Sequence, residues 1–461
     1  MNENHKKVPK RIAQAVLNSL KGGVVPRIGL PYIMVGRKNE VNALLHDVDI
    51  ITKGGASFRF ILGRYGSGKS FLLQAIRNYA MDKDFIVADA DLSPERRLLG
   101  AQDQGLATYR ELISNLSTKT KPEGGALTQV LDRWISGVQA KAVAETGLNP
   151  GDPTLTKTVD QSIYAVTTAV SEQVHGFEFA QLLSLYYHAY LEGDDDQKAK
   201  VVRWFRGEYT TKRDAKKALG VNLIIEDNDW YDYLKLFAVF FRMAGYAGMM
   251  IFIDELVNLY RITRADTRED NYEKLLAMYN DALQGKARYL GFLVGATPQA
   301  VEDKRRGLYS YEALRSRLAE GKFSRPGARD LLAPVIRLEP LTAEEMLVLC
   351  EKLADMHADL YGYEKKLGTD NLAGFITLEY SRIGAEQNIT PREVIRDFIE
   401  LLDLLYQNPA MTMDELLQSE DFSYAKSQAV SEETNNNFKE RAEIDGPLPS
   451  KAQQECRIPK P

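Results

Sequence analysis

One glycine-rich segment constrains the fold of this chain more than any other feature. It consists of Gly63, Arg64, Tyr65, Gly66, Ser67, Gly68, Lys69 and Ser70, which match the pattern G-x-x-x-x-G-K-[S/T] at every fixed position. An apolar run from Phe58 to Leu62 precedes the segment, and apolar residues at helical spacing begin at Phe71 directly after it. The segment therefore predicts a strand, a tight loop and a helix, in that order.

Such a loop binds phosphate for physical reasons. Glycines allow the backbone to wrap an anion with its N–H groups pointing inward, and the following helix adds the positive end of its dipole. We expect these eight residues to bind ATP, with Lys69 at the β and γ phosphates and the Ser70 hydroxyl as a ligand of Mg²⁺. A chance match is the alternative, and the strand before the loop and the helix after it argue against that alternative.

A second apolar run ends in two acidic residues. Met249 to Ile253 has the composition of a buried strand, and Asp254 and Glu255 follow it directly. We predict that Asp254 holds Mg²⁺ and that Glu255 polarises the attacking water, which favours hydrolysis over binding alone. In the alternative interpretation, the two acids cap the start of a solvated helix.

The order of the predicted elements indicates an α/β fold with a parallel sheet, because strands alternate with helices. Besides the two strands above, the patterns predict strands at 85–90, 289–294 and 335–338, and helices at 12–20, 39–51 and 108–116. We expect five segments along the chain. They are an N-terminal helix and loop (1–34), a P-loop core (35–119 and 246–340), a large all-helical insertion (120–245), a C-terminal helical lid (341–408), and a C-terminal tail that is mobile or an interaction segment (409–461).

Length and composition narrow the class of protein. A chain of 461 residues suggests two or three domains. The formal net charge is -5, so any contact with nucleic acid requires a local basic patch. Cys350 and Cys456 cannot form a disulfide framework, and the cysteines and histidines lack metal-ligand spacing. With no export signal and no apolar run of about 20 residues, we expect a soluble cytoplasmic protein without membrane contact.

The predicted insertion contains one basic cluster, at residues 203–217. Its members are Arg203, Arg206, Lys212, Arg213, Lys216 and Lys217, interleaved with Trp204, Phe205 and Tyr209. Basic residues among aromatic ones can bind phosphate backbones and stack on bases, which makes DNA one candidate partner. In the alternative, Trp204 and Phe205 pack in a helical core, and the charges form a solvated face with Glu208 and Asp214.

Six short motifs in a fixed order resemble one family. They are Gly23-Val24-Val25-Pro26-Arg27, Val35-Gly36-Arg37, the loop from Gly63, Trp204-Phe205-Arg206-Gly207-Glu208, Gly245-Tyr246-Ala247-Gly248 and Thr390-Pro391-Arg392-Glu393. Over about residues 12–405 the chain resembles bacterial P-loop ATPases with a BREX-system ATP-binding domain, the D-subunit type of phage-defence operons. The resemblance implies an AAA+ fold related to the origin-recognition and STAND branches, with other defence-system proteins as partners. Tyr65 departs from the pattern, since small or polar residues are frequent there, and no winged helix is recognisable after residue 405.

The resemblance also implies roles for two residues beyond the loop and the acids. Thr297 follows the apolar run that starts at Leu290, where AAA+ proteins keep the polar sensor-1 group. A helix N-cap before Pro298 is the alternative role, and the two roles are compatible. Arg392 is the matching sensor-2 candidate, with an ordinary exposed arginine as its alternative.

Further roles are implied at the edges of the nucleotide site. Arg315 and Arg317 stand where AAA+ rings place an arginine finger, whose guanidinium neutralises charge on the γ-phosphate of a neighbouring subunit. We therefore expect a homo-oligomer when ATP binds. Val35 and Gly36 stand where related ATPases close around adenine and ribose.

The sequence thus predicts an ATPase that couples ATP turnover to the assembly or remodelling of a defence complex on DNA. The rival prediction is a nucleotide-switched scaffold with negligible turnover.

Overall fold

The computed structural model describes residues 7–149, 152–171, 173–321, 329–381 and 390–417. These residues form two compact units. The larger unit comprises Val25–Thr342 together with Thr390–Arg392, and the smaller unit comprises the described residues of Met1–Val24, Ala343–Ile389 and Glu393–Pro461. Most of the expected C-terminal tail, residues 418–461, lies outside the described residues.

Helices occupy most of the described chain. Their bounds are α1 Lys10–Lys21, α2 Leu30–Ile33, α3 Lys38–Thr52, α4 Lys69–Asp82, α5 Gln104–Ser114, α6 Leu127–Thr146, α7 Pro153–Ser171, α8 Gly176–Glu192, α9 Asp195–Phe205, α10 Lys212–Leu219, α11 Trp230–Met243, α12 Val257–Tyr260, α13 Ala265–Leu283, α14 Pro298–Glu302, α15 Glu312–Leu318, α16 Ala343–Tyr361, α17 Thr369–Ser381, α18 Pro391–Gln407 and α19 Met413–Leu417. Of the helices in the described part of the chain, none combines the length and the apolar character that a membrane span requires.

A parallel sheet of five strands forms the centre of the larger unit, which confirms the predicted α/β class. The strands are β1 Ala56–Leu62, β2 Ile86–Asp91, β3 Met249–Asp254, β4 Leu290–Ala296 and β5 Val335–Arg337, in the spatial order β2-β3-β4-β1-β5. The five predicted strands agree with these bounds to within two residues. Strand β4 starts one residue later than predicted because Tyr289 has a φ of 55°, a left-handed conformation that ends extended structure.

The two faces of the sheet contribute to two separate hydrophobic cores. Successive strand residues point to opposite faces, so Phe60 and Leu62 join one core while Ile61 joins the other. Helices α3 and α4 cover the face of Ile61. Both faces are therefore buried, and this explains why the strands are almost continuously apolar.

The helices α6 to α11, which lie in the expected insertion, share one core with a face of the sheet. The ring of Tyr231 on α11 lies 6.1 Å from that of Phe292 on β4, and Phe292 stacks on Phe58 at 5.1 Å. Trp134, Phe179 and other buried aromatic residues of these helices extend the same core. The inserted helices are thus packed on the sheet and contribute to its burial.

The smaller unit joins the first described helix to the C-terminal helices. Helix α1 packs against α16, and Lys21 at the end of α1 forms an ion pair of 2.6 Å with Asp403 on α18. Residues 1–34 and 341–408 are predicted as separate segments, whereas these contacts group residues 7–24 with the C-terminal helices. Such a grouping rests on residues hundreds of positions apart, which helical periodicity does not report.

Candidate nucleotide-binding site

The glycine-rich loop lies at the carboxyl edge of the sheet, between β1 and α4. Strand β1 lies between β4 and β5 in the sheet. Strands β2, β3 and β4 lie on one side of β1 and β5 lies on the other, so the strand order changes direction at β1. Ligands of open parallel sheets bind at the carboxyl ends of the strands, at a point of this kind. The N–H of Gly63 donates to the carbonyl of Ala296 at 3.1 Å, which aligns the loop with the end of β4.

Two loop glycines adopt backbone conformations that other residues rarely tolerate. Gly66 has a φ of 72° and Gly68 a φ of 95°. At Gly66 a Cβ atom would also lie 2.5 Å from Oγ1 of Thr390. Both the backbone conformation and the lack of space therefore disfavour a side chain at this position. Gly68 is the N-cap of α4 and provides no side-chain cap, which leaves the N–H groups of the first helical turn oriented toward an anion.

Lys69 is buried and folds back over the loop. Its Nζ donates to the carbonyl of Arg64 at 2.9 Å and lies 5.4 Å from the centre of the Tyr65 ring. Burial lowers the pKa of the Lys69 ammonium, and the positive charge of Arg392 acts in the same direction, whereas Asp254 and Glu255 oppose the shift. A charged ammonium with this little solvation favours the arrival of an anionic ligand.

Ser70 and Asp254 connect the loop to the acidic end of β3. The Ser70 hydroxyl donates to Oδ2 of Asp254 at 2.6 Å, and Oδ1 of Asp254 accepts from the N–H of Glu255 at 2.9 Å. Glu255 has a φ of 58°, which is unusual for a residue with a long side chain and is typical of functional sites. At Gly295 a Cβ atom would lie 2.2 Å from Oδ1 of Asp254, so only glycine leaves room for that carboxylate.

A third carboxylate, which the sequence analysis missed, lies beside this pair. Asp91 ends β2 and is in register with Asp254 on the neighbouring strand β3. Although Asp91 is exposed, the protein atoms around its carboxyl group raise its pKa, and the charges of Asp254 and Glu255 add to that shift. Its position at the end of an apolar strand is the sequence feature that could have indicated a place in the site.

The side chains present fit a nucleotide accompanied by a magnesium ion. Ser67 Oγ is buried without a hydrogen-bond partner, which a phosphate oxygen would supply. The oxygens of Ser70 and Asp254 are the hard ligands that Mg²⁺ prefers, and Mg²⁺ commonly takes its other ligands from water and phosphate. Within the described ranges no three His, Cys, Asp or Glu side chains are arranged to hold a metal.

A protein-family comparison assigns the chain, with this loop and this acidic strand end, to a family. The family model described as "BREX system ATP-binding protein BrxC/D" matches residues 8–421. The chain belongs to this family. Comparison with curated proteins gives no significant match. The family assignment confirms the resemblance inferred from the sequence motifs and identifies the chain as an ATP-binding protein of a BREX defence system.

Of Val35, Gly36 and Arg37 in this BREX family member, Arg37 contacts the loop. Arg37 is buried, and its guanidinium donates to the carbonyl of Ser67 at 3.1 Å and to the carbonyl of Glu339 at 2.8 Å. The sequence analysis singled out Val35 and Gly36, whereas the residue that contacts the loop is Arg37. The motif indicated that this segment belongs to the site, but it did not indicate that Arg37 contacts the carbonyl of Ser67.

Thr297 and Arg392 both lie within reach of the site. Thr297 follows β4, between the ends of β1 and β3, and its Oγ1 accepts from the N–H of Ala300 at 3.3 Å as the N-cap of α14. The structure thus has the capping role that the sequence offered as an alternative, at a position compatible with the sensor role. Arg392 is exposed, and its charge is close enough to lower the pKa of Lys69.

The two arginine-finger candidates have local partners. Arg315 pairs with Glu312 at 3.0 Å, and Arg317 donates to Oδ1 of Asn280 at 3.1 Å. Among the described residues, no hydrogen bond or ion pair connects Arg315 or Arg317 to the loop of the same chain. A role in the site of another copy remains a prediction.

The basic cluster at 203–217 has its aromatic residues inside the protein. Trp204, Phe205 and Tyr209 are all buried, and Trp204 donates from its ring N–H to the carbonyl of Leu223 at 2.8 Å. Three of the cations pair with acids, since Arg203 and Arg206 contact Glu208 and Lys212 contacts Glu226. This packing agrees with the alternative interpretation, a helical core under a solvated charged face, because buried rings cannot stack on bases.

Proposed function

We propose that this BREX family member is an AAA+ ATPase that binds ATP with Mg²⁺ and hydrolyses it to ADP and phosphate. The observation that supports this most directly is the 2.6 Å hydrogen bond between Ser70 and Asp254, which places the two expected metal ligands against each other. A serine hydroxyl of the loop and a strand-end aspartate are the pair that hold Mg²⁺ in P-loop nucleoside triphosphatases.

In the proposed mechanism, the chain grips the triphosphate and orients a water molecule. The N–H groups of the loop and of the first turn of α4 bind phosphate oxygens, and the Lys69 ammonium binds the β and γ phosphates. Ser70 and Asp254 would hold Mg²⁺, and the ion would supply charge neutralisation on the phosphates. The Glu255 carboxylate accepts a hydrogen bond from the attacking water and then its proton, while Thr297 supplies a further polar group.

The wider role follows from the family. A component of a BREX system works with other defence-system proteins, and we propose that ATP turnover drives the assembly or DNA-associated remodelling of their complex. The parallel sheet with the loop after β1 and the acids after β3 supports the AAA+ assignment. We further propose that ATP binding assembles copies of the chain, so that Arg315 or Arg317 of one copy reaches the site of the next.

The rival function, a nucleotide-switched scaffold with negligible turnover, is favoured by one contact. The Tyr65 hydroxyl donates to Oε2 of Glu255 at 3.4 Å, so the expected base is engaged by a bulky residue that the family pattern rarely places there. A protein that keeps this contact with ATP bound would respond to nucleotide without hydrolysing it.

Steady-state ATP hydrolysis by the purified full chain separates the two functions. We expect Glu255→Gln to lower kcat by about 100-fold or more, because a general base commonly contributes that factor, while ATP binding persists. Glu269→Gln, at an exposed acid on α13, is the matched control and should leave kcat unchanged. If the wild type is no faster than Glu255→Gln, with or without duplex DNA, while both bind ATP, the chain is a scaffold.

A further inference from the structure

Two arginines of the larger unit meet without a carboxylate between them. Nη1 of Arg268, on α13, donates to the carbonyl of Ile262 at 2.8 Å, and Nη2 of Arg306 donates to the same carbonyl at 3.2 Å. Arg268 is buried, with 8% of its surface exposed. In both side chains the Nε atom is buried without a hydrogen-bond partner.

This pair differs from Arg59 and Arg77, two buried arginines of the larger unit. Arg59 forms an ion pair with Asp47 at 2.6 Å, and Arg77 forms one with Asp89 at 2.8 Å. Neither Arg268 nor Arg306 forms an ion pair with any of the residues that the structure describes. Adjacent guanidinium groups that lack a counter-charge are costly, and an external anion would remove that cost.

The acidic side chain three residues before Arg306 is already engaged. Asp303 accepts hydrogen bonds from the Tyr260 hydroxyl at 3.0 Å and from the N–H of Arg305 at 2.7 Å. Although burial opposes the shift, these hydrogen bonds hold the pKa of Asp303 below its ordinary value, so it stays charged and paired. It fixes the turn that carries Arg305 and Arg306, and the charge of Arg305 contributes to the lowered pKa, while the Arg305 side chain stays exposed.

Three exposed cations lie close to this pair in the chain. Arg264 is the N-cap residue of α13, one turn before Arg268, and Lys304 and Arg305 directly precede Arg306. All three are exposed and form no ion pair within the described part of the chain. Asp266, the acid in the first turn of α13, follows Arg264 by two residues, a spacing at which helical side chains do not face each other.

We propose that Arg264, Lys304 and Arg305, which are close in the chain to the buried Arg268 and the half-buried Arg306, bind the phosphate backbone of nucleic acid without reading its sequence. These five residues form the arginine surface. It is built at the carboxyl edge of the sheet, from the segments that follow β3 and β4, and is independent of the basic cluster at 203–217. The proposal goes beyond ATP hydrolysis and does not require it.

The chemistry of the arginine surface favours nucleic acid over a protein partner. Protein interfaces depend on exposed aromatic or aliphatic anchors, whereas contacts with a phosphate backbone need cations alone. The exposed large hydrophobic residues of the described chain include none within 257–270 or 298–310. The absence of exposed rings also excludes base stacking here, so binding should not depend on base sequence.

Fluorescence anisotropy of the full chain with labelled duplex DNA and labelled single-stranded DNA, over a range of KCl concentrations, tests the proposal. The variant is the triple Arg264→Gln, Lys304→Gln and Arg305→Gln, whose exposed positions should not affect folding. The matched control is Arg213→Gln, Lys216→Gln and Lys217→Gln, three exposed cations of α10 that also lack ion pairs in the described structure. ATP affinity is measured for both triple variants, to verify that the candidate nucleotide-binding site is unchanged.

We expect the wild type to bind DNA of unrelated sequences with similar affinity. The arginine-surface triple should lose about tenfold or more in affinity, with a plot of log K against log salt that is shallower by about 2 to 3, since each phosphate contact contributes close to 1 to that slope. The α10 triple should match the wild type.

Three results would overturn the proposal. In the first, the wild type binds neither form of DNA at low salt. In the second, the α10 triple loses as much affinity as the arginine-surface triple, which would assign binding to overall charge. In the third, poly-glutamate binds through the arginine surface while DNA does not, which would make the partner an acidic polypeptide.

Discussion

Arg37 connects the glycine-rich loop to a distant part of the larger unit. Its guanidinium donates to the carbonyls of Ser67 and Glu339 and lies 3.9 Å from Glu40. Glu40 in turn accepts from Arg329 at 3.2 Å. The position of the loop therefore depends on a network of contacts. It connects Arg37 and Glu40, which precede β1 in the chain, with Glu339, which follows β5.

Substituting Arg37→Lys should weaken ATP binding by about tenfold, since a charged hydrogen bond contributes about 1.5 to 3 kcal/mol. Lysine keeps the charge but lacks the planar fork that reaches two carbonyls at once. Titration with a fluorescent ATP analogue measures the affinity, and thermal unfolding without nucleotide monitors the fold. Arg213→Lys, at an exposed position of α10, is the control. Unchanged affinity in Arg37→Lys would show that the loop holds its shape unaided.

The residues of the site differ in how far the sequence could predict them. Lys69 and Ser70 belong to a contiguous pattern and Asp254 ends an apolar run, so local chemistry was enough to place them. Asp91 and the loop contact of Arg37 depend on which strands are neighbours and on what the loop backbone approaches. Periodicity contains no information about either.

At the scale of elements, α16 and α18 of the smaller unit meet at a buried histidine. Nδ1 of His357 forms a hydrogen bond of 2.9 Å with the Tyr363 hydroxyl. Its Nε2 lies 3.1 Å from Oδ1 of Asp403. Burial lowers the pKa of His357, and Lys21 acts in the same direction, whereas Asp403 opposes the shift. The neutral ring, with its proton on Nε2, satisfies both neighbours.

Acidification should loosen this helix contact. Because the pKa of His357 is lower in the folded chain than the ordinary value of 6.5, its contribution to stability is complete above that pH and is lost as the pH falls below it. Hydrogen exchange of α16 peptides, corrected for intrinsic rates, should therefore quicken between pH 7.5 and pH 5.5. In His357→Gln that pH dependence should shrink, while α11 peptides of the larger unit report the background. Equal pH dependence in both proteins would exclude His357 as the cause.

The helices and strands themselves were predictable because their patterns are strong. Both the run from Met249 and the run from Leu290 alternate with long amphipathic helices, which is sufficient for a parallel sheet. Helix α2 was not predicted, since four residues beginning with Leu30-Pro31 show no period. Element ends also depended on single residues, as the left-handed φ of Tyr289 illustrates.

At the scale of the whole molecule, the spatial order of the strands and the grouping of α1 with the C-terminal helices could not be predicted. Both result from packing between residues far apart in the chain. The shared core of the sheet and the inserted helices has the same origin, since Tyr231 meets Phe292 only after the insertion folds back. Helices α6 to α11 are therefore structural support for the sheet that carries the glycine-rich loop.

Assembly through an arginine finger makes a prediction that only a multi-copy protein can satisfy. Lys69→Ala lacks the phosphate grip but keeps Arg317, whereas Arg317→Ala keeps the grip and lacks the finger. Each variant alone should lose about 1,000-fold or more in kcat. Mixed in equal amounts, they should recover about a quarter of the wild-type rate, because about a quarter of interfaces would pair an intact grip with an intact finger.

The matched control for this mixture is Lys69→Ala with Glu255→Gln. Both substitutions damage the same site, so no pairing of these two variants rebuilds an active interface, and the mixture should stay inactive. Replacing Arg317→Ala by Arg315→Ala in the first mixture decides which arginine acts, since only the variant that lacks the finger can be rescued by its partner. Because Arg315 and Arg317 contact Glu312 and Asn280 in the single chain, a finger must release its local partner on assembly. A mixture that never exceeds the average of its two members would mean that each copy hydrolyses ATP with its own residues alone.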